Sequence, residues 1–348
     1  MPLTHSRPRI LLVKLSAMGD VLHALPTLEA LRAVYPQGRI TWMVETAYAP
    51  LLLGHPALDE VWPVPRLRLG EAGTGSDLLT LGRLLRQLRS QPFDLVIDLQ
   101  GLLKSALWVA LAKSPRKVGY NGTREGSYLV LTERLAPYDP EAHAVWRYLN
   151  LARHLGAPPA LPRFRLPWAN ALSVNSVIGI DAARPQVVLH PGARWATKLC
   201  PAAFWASLAD WLSREKGCEV ILTGSAGDRP LVAAIIEQMH GKAVNLAGRT
   251  SLKELAAVLG QAAFAVTTDT GPMHLAAALG TRVVALFGPT APWRTGPFGE
   301  GHEIVRLGLN CSPCFQRRCP EPRCLTELPV EAVQTACEKI LAPEEIIE

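Results

Sequence analysis

The chain carries its most reactive side chains directly after apolar runs, where a strand would give way to a helix. In FAVTTDTGPMHL (264–275) an apolar run ends in Asp269, and Thr270 and Gly271 open a helical pattern. The first amides of a helix have no intrahelical acceptor, so this junction offers backbone N–H groups to an anion such as a nucleotide phosphate, and Gly271 lets it approach. His274 follows Thr270 by four residues, about one helical turn in. In HPGARWATK (190–198), Lys198 supplies a mobile positive charge for phosphate oxygens and Thr197 a hydroxyl. Asp228, closing GSAGD, could accept from sugar or ribose hydroxyls or merely cap the next helix. Asp20, in SAMGD after the first apolar run, is the carboxylate best placed to act as general base, with a capping role for the helix from Val21 onward as the alternative.

Cys311, Cys314, Cys319 and Cys324 are spaced C-x2-C-x4-C-x4-C in a Pro/Arg-rich segment. Four thiols so close could hold a structural zinc, although the spacing is not that of a standard finger; reduced thiols are the alternative, and no catalytic role follows from either. The chain has no G-x-x-x-x-G-K-[ST], no G-x-G-x-x-G after a strand and no G-x-S-x-G. ATPase, dinucleotide oxidoreductase and serine hydrolase readings therefore lose their best markers. No D-x-D pair stands ready to hold a divalent metal against a diphosphate, so no cofactor is expected and the leaving charge must be met by Lys198 and helix-start amides.

These residues need a scaffold that presents strand-to-helix loops. Apolar runs at 9–15, 39–45, 60–64, 94–100, 185–192, 219–224, 243–248, 264–269 and 282–288 alternate with helical patterns at 21–35, 77–90, 101–112, 201–216, 228–240, 251–262 and 271–279. Such alternation predicts an α/β chain with parallel sheets covered on both faces. At 348 residues the chain exceeds a single core. The proline-rich GAPPALPRFRLPWAN (156–170) reads as the linker. Two doubly wound Rossmann-like domains follow, 1–165 and 166–348, facing a central cleft, with a final helix able to pack back on the first. Ligands of such sheets sit beyond the carboxyl ends of the strands.

Net charge is +6, and dividing the chain near residue 168 leaves 20 basic and 13 acidic residues before it against 16 and 17 after it. The first half should meet something anionic, either an acceptor or a membrane surface. Nucleic acid is disfavoured, since the chain has no dense Lys/Arg tract and only 6% aromatic residues. No apolar run reaches bilayer-spanning length, and Lys14 and Asp20 interrupt the opening one. The expectation is a cytoplasmic protein.

Read together, KLSAMGDVLHALP (14–26), DLQGLLKS (98–105), HPGARWATK (190–198), TDTGPMHLAAALGT (268–281) and LFGPTAP (286–292) resemble glycosyltransferase family 9, the ADP-heptose:lipopolysaccharide heptosyltransferases. The likeness spans residues 9 to 342. It implies a GT-B fold and inverting, metal-independent transfer of L-glycero-D-manno-heptose from an ADP-sugar. The implied acceptor is an anionic inner-core precursor of lipopolysaccharide, at the cytoplasmic face of the inner membrane. By motif, Asp20 matches the family's base, and Lys198, Asp269, Thr270, Gly271 and His274 its donor site. Asp228 stands where heptosyltransferase I has a glutamate, and Thr250 lies near the adenine-side position. QGLLKS and TREGSY (123–128) look more like heptosyltransferase I, whose acceptor is Kdo on lipid A; Arg66, Arg68, Lys104 and Arg124 would then meet Kdo carboxylates or lipid A phosphates. The alternatives are heptosyltransferase II or another family 9 transferase, a sugar-nucleotide epimerase, or a basic binding protein without catalysis.

Overall fold

The computed structural model describes residues 7–66, 75–166 and 183–342. The chain forms two compact units, Met1–Pro167 and Trp168–Glu348, so the boundary falls two residues from the one read in the proline-rich segment. Arg68 and residues 167–170 of that segment lie outside the described residues.

The first unit runs β1 (Arg9–Val13), α1 (Met18–His23), α2 (Leu25–Val34), β2 (Arg39–Glu45), β3 (Glu60–Val64), α3 (Gly75–Ser90), β4 (Leu95–Asp98), α4 (Leu103–Leu111), β5 (Lys117–Tyr120), β6 (Glu133–Leu135) and α5 (Ala144–His154). Its parallel sheet has the order β3-β2-β1-β4-β5-β6. Ile10, Leu11, Leu12 and Val13 are wholly buried, as a central strand covered on both faces demands. α3, α4 and a 3₁₀ turn at Arg124–Val130 cover one face, packing Leu84, Leu88, Trp108 and Val109 onto Leu11, Val13 and Val96. α5 packs against α1 and α2.

The second unit runs β7 (Gln186–His190), α6 (Ala202–Arg214), β8 (Glu219–Leu222), α7 (Arg229–Gln238), β9 (Val244–Asn245), α8 (Leu252–Gln261), β10 (Phe264–Thr268), α9 (Gly271–Ala278), β11 (Arg282–Leu286), α10 (Pro292–Thr295), β12 (Glu303–Val305), α11 (Arg323–Thr326) and α12 (Val330–Leu341). Its sheet order is β12-β11-β10-β7-β8-β9, which, counted from its own first strand, is the same winding as in the first unit. α12 packs Val333, Ala336, Cys337 and Ile340 into this unit's own core. Among the described residues no helix is long and apolar enough to cross a membrane.

In each unit the chain reverses its direction of growth between the first and fourth strands, β1 beside β4 and β7 beside β10. The carboxyl ends of such a pair form the crevice where open α/β sheets take ligands. The chain just past β1 and β4 carries Asp20 and Gln100, and just past β7 and β10 it carries Lys198 and Asp269–Gly271.

Candidate functional site

At the switch point of the first unit, Asp20 does not precede its helix as the sequence suggests. α1 begins at Met18, so Asp20 is its third residue, and its Oδ2 accepts the Ala17 amide at 3.2 Å. The capping role is thus real but occupies one oxygen. Oδ1 accepts from the Tyr148 hydroxyl at 2.8 Å and lies 3.7 Å from the Lys14 ammonium, and the carboxylate keeps 40% of its surface open.

Lys14 is buried at the end of β1's run and donates to Tyr148 Oη at 2.7 Å and to the Leu99 carbonyl at 3.2 Å. Its ammonium also lies 4.3 Å from the Tyr148 ring centre. Burial pulls Lys14 below the usual lysine range, opposed by Asp20 and Asp98. Burial, reinforced by Asp20, raises Tyr148 well above the usual phenol range, so its proton stays available to Oδ1. Gln100 fixes the loop by accepting from the amides of Leu15 and Ser16 at 3.1 and 3.0 Å.

Beside this chain of bonds lies a cavity of about 100 Å³ whose lining includes Asp98, Tyr120, Arg124, Tyr138, Arg147 and Tyr148. Asp98 is satisfied within the loop, accepting from the amides of Gln100 and Gly101 and from Ser105; burial raises it above the usual carboxylate range. Arg147 Nε is buried without a hydrogen-bond partner, and the guanidinium stands 4.9 Å from the Tyr138 ring centre. Of the basic residues expected here, Arg124 lines the cavity. Lys104 is tied to Glu45 at 2.8 Å and to Ser16 Oγ, so it braces the Asp20 loop. Arg66 is exposed just past β3. Sequence reading missed Lys14, Arg147 and Tyr148. A lysine in the apolar run RILLVKL was a visible signal for the first; the other two sit on α5, a helix not read from the sequence.

At the second switch point, α9 starts at Gly271 with Thr270 as its N-cap and no side chain capping its first turn. Thr270 turns its hydroxyl onto the Thr268 carbonyl at 3.2 Å, which leaves the helix start to its backbone amides. Lys198 donates to Asp269 through both the carboxylate, at 2.6 Å, and the carbonyl, at 3.0 Å. Thr290 donates to the same Asp269 oxygen at 2.6 Å, and His274 Nε2 lies 3.9 Å from the other. Asp269 and His274 are both buried, and Asp269 holds Lys198 at the α9 start. An ammonium has three N–H bonds, and two are used here.

Thr197 differs from expectation. It is buried, and its hydroxyl donates to the Gln316 carbonyl at 2.9 Å, so its proton holds the cysteine-bearing segment and is not turned toward a phosphate. Asp228 stands at the N-cap of α7 but does not cap it with its side chain; Oδ2 instead closes the preceding turn, accepting from the Ser225 amide and hydroxyl at 2.7 and 2.6 Å. Gly192 and Gly224 close around it: a Cβ on Gly192 would meet Asp228 Cγ at 2.5 Å, and one on Gly224 would meet its Cβ at 2.8 Å. The adjoining Gly248 amide bonds the Gly224 carbonyl at 2.8 Å, which brings the loop carrying half-exposed Thr250 beside that of Asp228. His190, buried against Thr223, is held down to about 4 by burial, so it is neutral near pH 7.

Of the two readings of the four cysteines, the structure does not assemble them for a shared metal ion. Cys311, Cys314 and Cys319 are exposed and Cys324 half-buried, and among the described residues no group of three or more His, Cys, Asp or Glu is placed to share a metal ion. Burial, then the other three thiols, raises Cys324 above the usual thiol range. The segment instead latches onto the second site, where Cys314 and Phe315 donate their amides to the Pro289 carbonyl at 3.1 and 2.7 Å.

Comparison with known proteins agrees with this geometry. Residues 81–325 match glycosyltransferase family 9 (heptosyltransferase). The chain is 34% identical to lipopolysaccharide heptosyltransferase 1 of Pseudomonas aeruginosa, over 97% of this chain and 99% of that protein. The E. coli heptosyltransferase WaaC with ADP superposes with a TM-score of 0.78 at 27% identity, covering 95% of this chain and 99% of that one. E. coli ADP-heptose lps heptosyltransferase II superposes with a TM-score of 0.77 at 27% identity, covering 96% and 98%. WaaC with ADP-2-deoxy-2-fluoro heptose gives 0.74 at 26%, covering 95% and 99%. With two identically wound sheets, a carboxylate at one switch point and an ammonium beside an open helix start at the other, the chain has the GT-B fold, belongs to glycosyltransferase family 9 and is a glycosyltransferase.

Proposed function

We propose that this enzyme is a lipopolysaccharide-core heptosyltransferase that moves L-glycero-D-manno-heptose from ADP-heptose to a Kdo-lipid A acceptor, with inversion and without a metal. The observation that carries the reading is the Asp20 carboxylate, 40% exposed and oriented by Tyr148, Lys14 and the Ala17 amide. The acceptor hydroxyl attacks the anomeric carbon, its proton passes to Asp20, and the bond from that carbon to the ADP oxygen breaks with its electrons leaving on ADP. One base and one leaving group on opposite sides of the sugar suffice for inversion, and no second carboxylate is required to form a covalent intermediate. Lys198 and the amides at the start of α9 receive the diphosphate charge. The roles of Thr270, Gly271 and His274 as donor contacts, and of Asp228 and Thr250 toward the ribose and adenine, belong to the same reading.

The first-unit cavity with Arg124 and Arg147 suits a carboxylate-bearing sugar such as Kdo. An acceptor of this kind is membrane-borne, so the enzyme works as a cytoplasmic protein on the inner face of the inner membrane. The identity to a heptosyltransferase 1 over almost the whole chain supports this acceptor, while the similar fit to heptosyltransferase II keeps a heptosylated core as the competing one.

The test is ADP release from ADP-heptose with Kdo-lipid A, with heptosylated Kdo-lipid A and with no acceptor. Release with Kdo-lipid A alone, falling by about 10²- to 10⁴-fold in Asp20→Asn while ADP still binds, is the expected result. Release without acceptor, or an unimpaired Asp20→Asn, overturns the transfer reading; preference for the heptosylated acceptor overturns only the choice of Kdo.

A further inference from the structure

The outer layer of the first unit exposes more leucine than a soluble surface needs. Leu78 and Leu79 on α3, Leu103 and Leu107 on α4, and Leu129 in the adjoining 3₁₀ turn are between 58% and 74% exposed. α4 packs against both α3 and that turn, and Glu125 of the turn accepts from the Leu103 amide at 2.9 Å, so the three segments form one continuous layer. The core does not require these side chains, because it is filled from the other side of the same helices by Leu84, Leu88, Trp108 and Val109. Scattered single leucines are ordinary, whereas five on adjoining elements mark an interaction face.

The charges on this layer say what it meets. Arg83, Arg86 and Arg89 recur every third residue on α3 and are all exposed, and a shallow groove of about 530 Å³ runs beside Arg86 and Arg89. Between residues 75 and 131 there are eight Lys/Arg against four Asp/Glu. Three of those four point inward or are engaged, Asp98 buried, Asp94 accepting the Arg9 amide and Glu125 the Leu103 amide, while of the bases Lys104 and Arg116 are paired with Glu45 and Glu133. Leucines that enter the boundary between headgroups and acyl chains, flanked by guanidinium groups at phosphate level, are the pattern of a peripheral bilayer contact.

We infer that the face formed by α3, α4 and the Arg124–Val130 turn docks on an anionic lipid bilayer. This deepens the membrane part of the reading above by naming the surface responsible, and the two fail separately, because docking is measured with vesicles that contain no acceptor. The full-length protein is sedimented with phosphatidylglycerol/phosphatidylcholine vesicles and with phosphatidylcholine alone, at low and high salt, beside the variants Leu78→Ser/Leu107→Ser/Leu129→Ser and Arg83→Gln/Arg86→Gln/Arg89→Gln. Binding to the anionic vesicles, weakened about tenfold by either triple variant and by salt, is expected, with activity on a detergent-dispersed acceptor retained. Leu53→Ser/Leu161→Ser, exposed leucines outside this layer, should bind as the parent does. Absence of vesicle binding by the parent, equal binding to neutral vesicles, or unchanged binding of both triple variants overturns the inference. So does a dimer in light scattering that dissociates in the leucine variant, which would make the face a contact between copies of the chain.

Discussion

Asp20 has two oxygens with different tasks, and the difference is measurable. Oδ2 caps its own helix, while Oδ1 receives the Tyr148 proton and faces the Lys14 ammonium. Removing the phenol leaves the carboxylate in place but frees it to rotate and strips Lys14 of one of its acceptors. Tyr148→Phe should therefore lower kcat by about tenfold, corresponding to one hydrogen bond to a charged group, with the KM for the donor unchanged. Steady-state kinetics against both substrates check this, and an unaltered kcat would remove Tyr148 from any part in orienting the base. Asp20 itself was legible in the sequence because a carboxylate followed a buried strand. Its bonding was not, because Tyr148 lies 128 residues away and reaches it through tertiary packing.

Among the elements, the loops after β7 and β8 depend on missing side chains. Gly192 and Gly224 are required by the space that Asp228 fills. Gly192→Ala must displace a short carboxylate already fixed by Ser225, and should cost about 1–3 kcal/mol with weaker ADP binding. Thermal unfolding and an ADP titration test it, and a variant with parental stability would show that the loop gives way freely. The same elements show where sequence reading stops. Buried strands such as β1 and β10 were plain as unbroken apolar runs. β5, β6 and β12 were not anticipated: they are four, three and three residues long, and mixed in polarity at or next to a sheet edge. The helix read as 21–35 is two helices that meet at Ala24, with Pro26 in the first turn of the second. α5 was missed although its burial is amphipathic, with Leu149, Leu151 and Ala152 inside and Trp146 exposed. That omission concealed Arg147 and Tyr148.

For the whole molecule, the sites built on the two sheets should respond to different ligands. ADP should slow amide exchange at 190–198, 224–228 and 270–275, in the second unit, whereas a Kdo-bearing acceptor should slow it at 98–104 and 120–128, in the first. Hydrogen exchange with each ligand alone reads this directly, and protection of 98–104 by ADP in place of the acceptor would contradict the assignment of tasks to the units.

The repeated strand order carries a consequence for how such enzymes diversify. Each half closes its own core and winds its own sheet, so residues that choose the sugar to be extended can drift without disturbing those that hold the nucleotide. Chimeras that exchange entire halves between relatives should inherit the two preferences from separate parents.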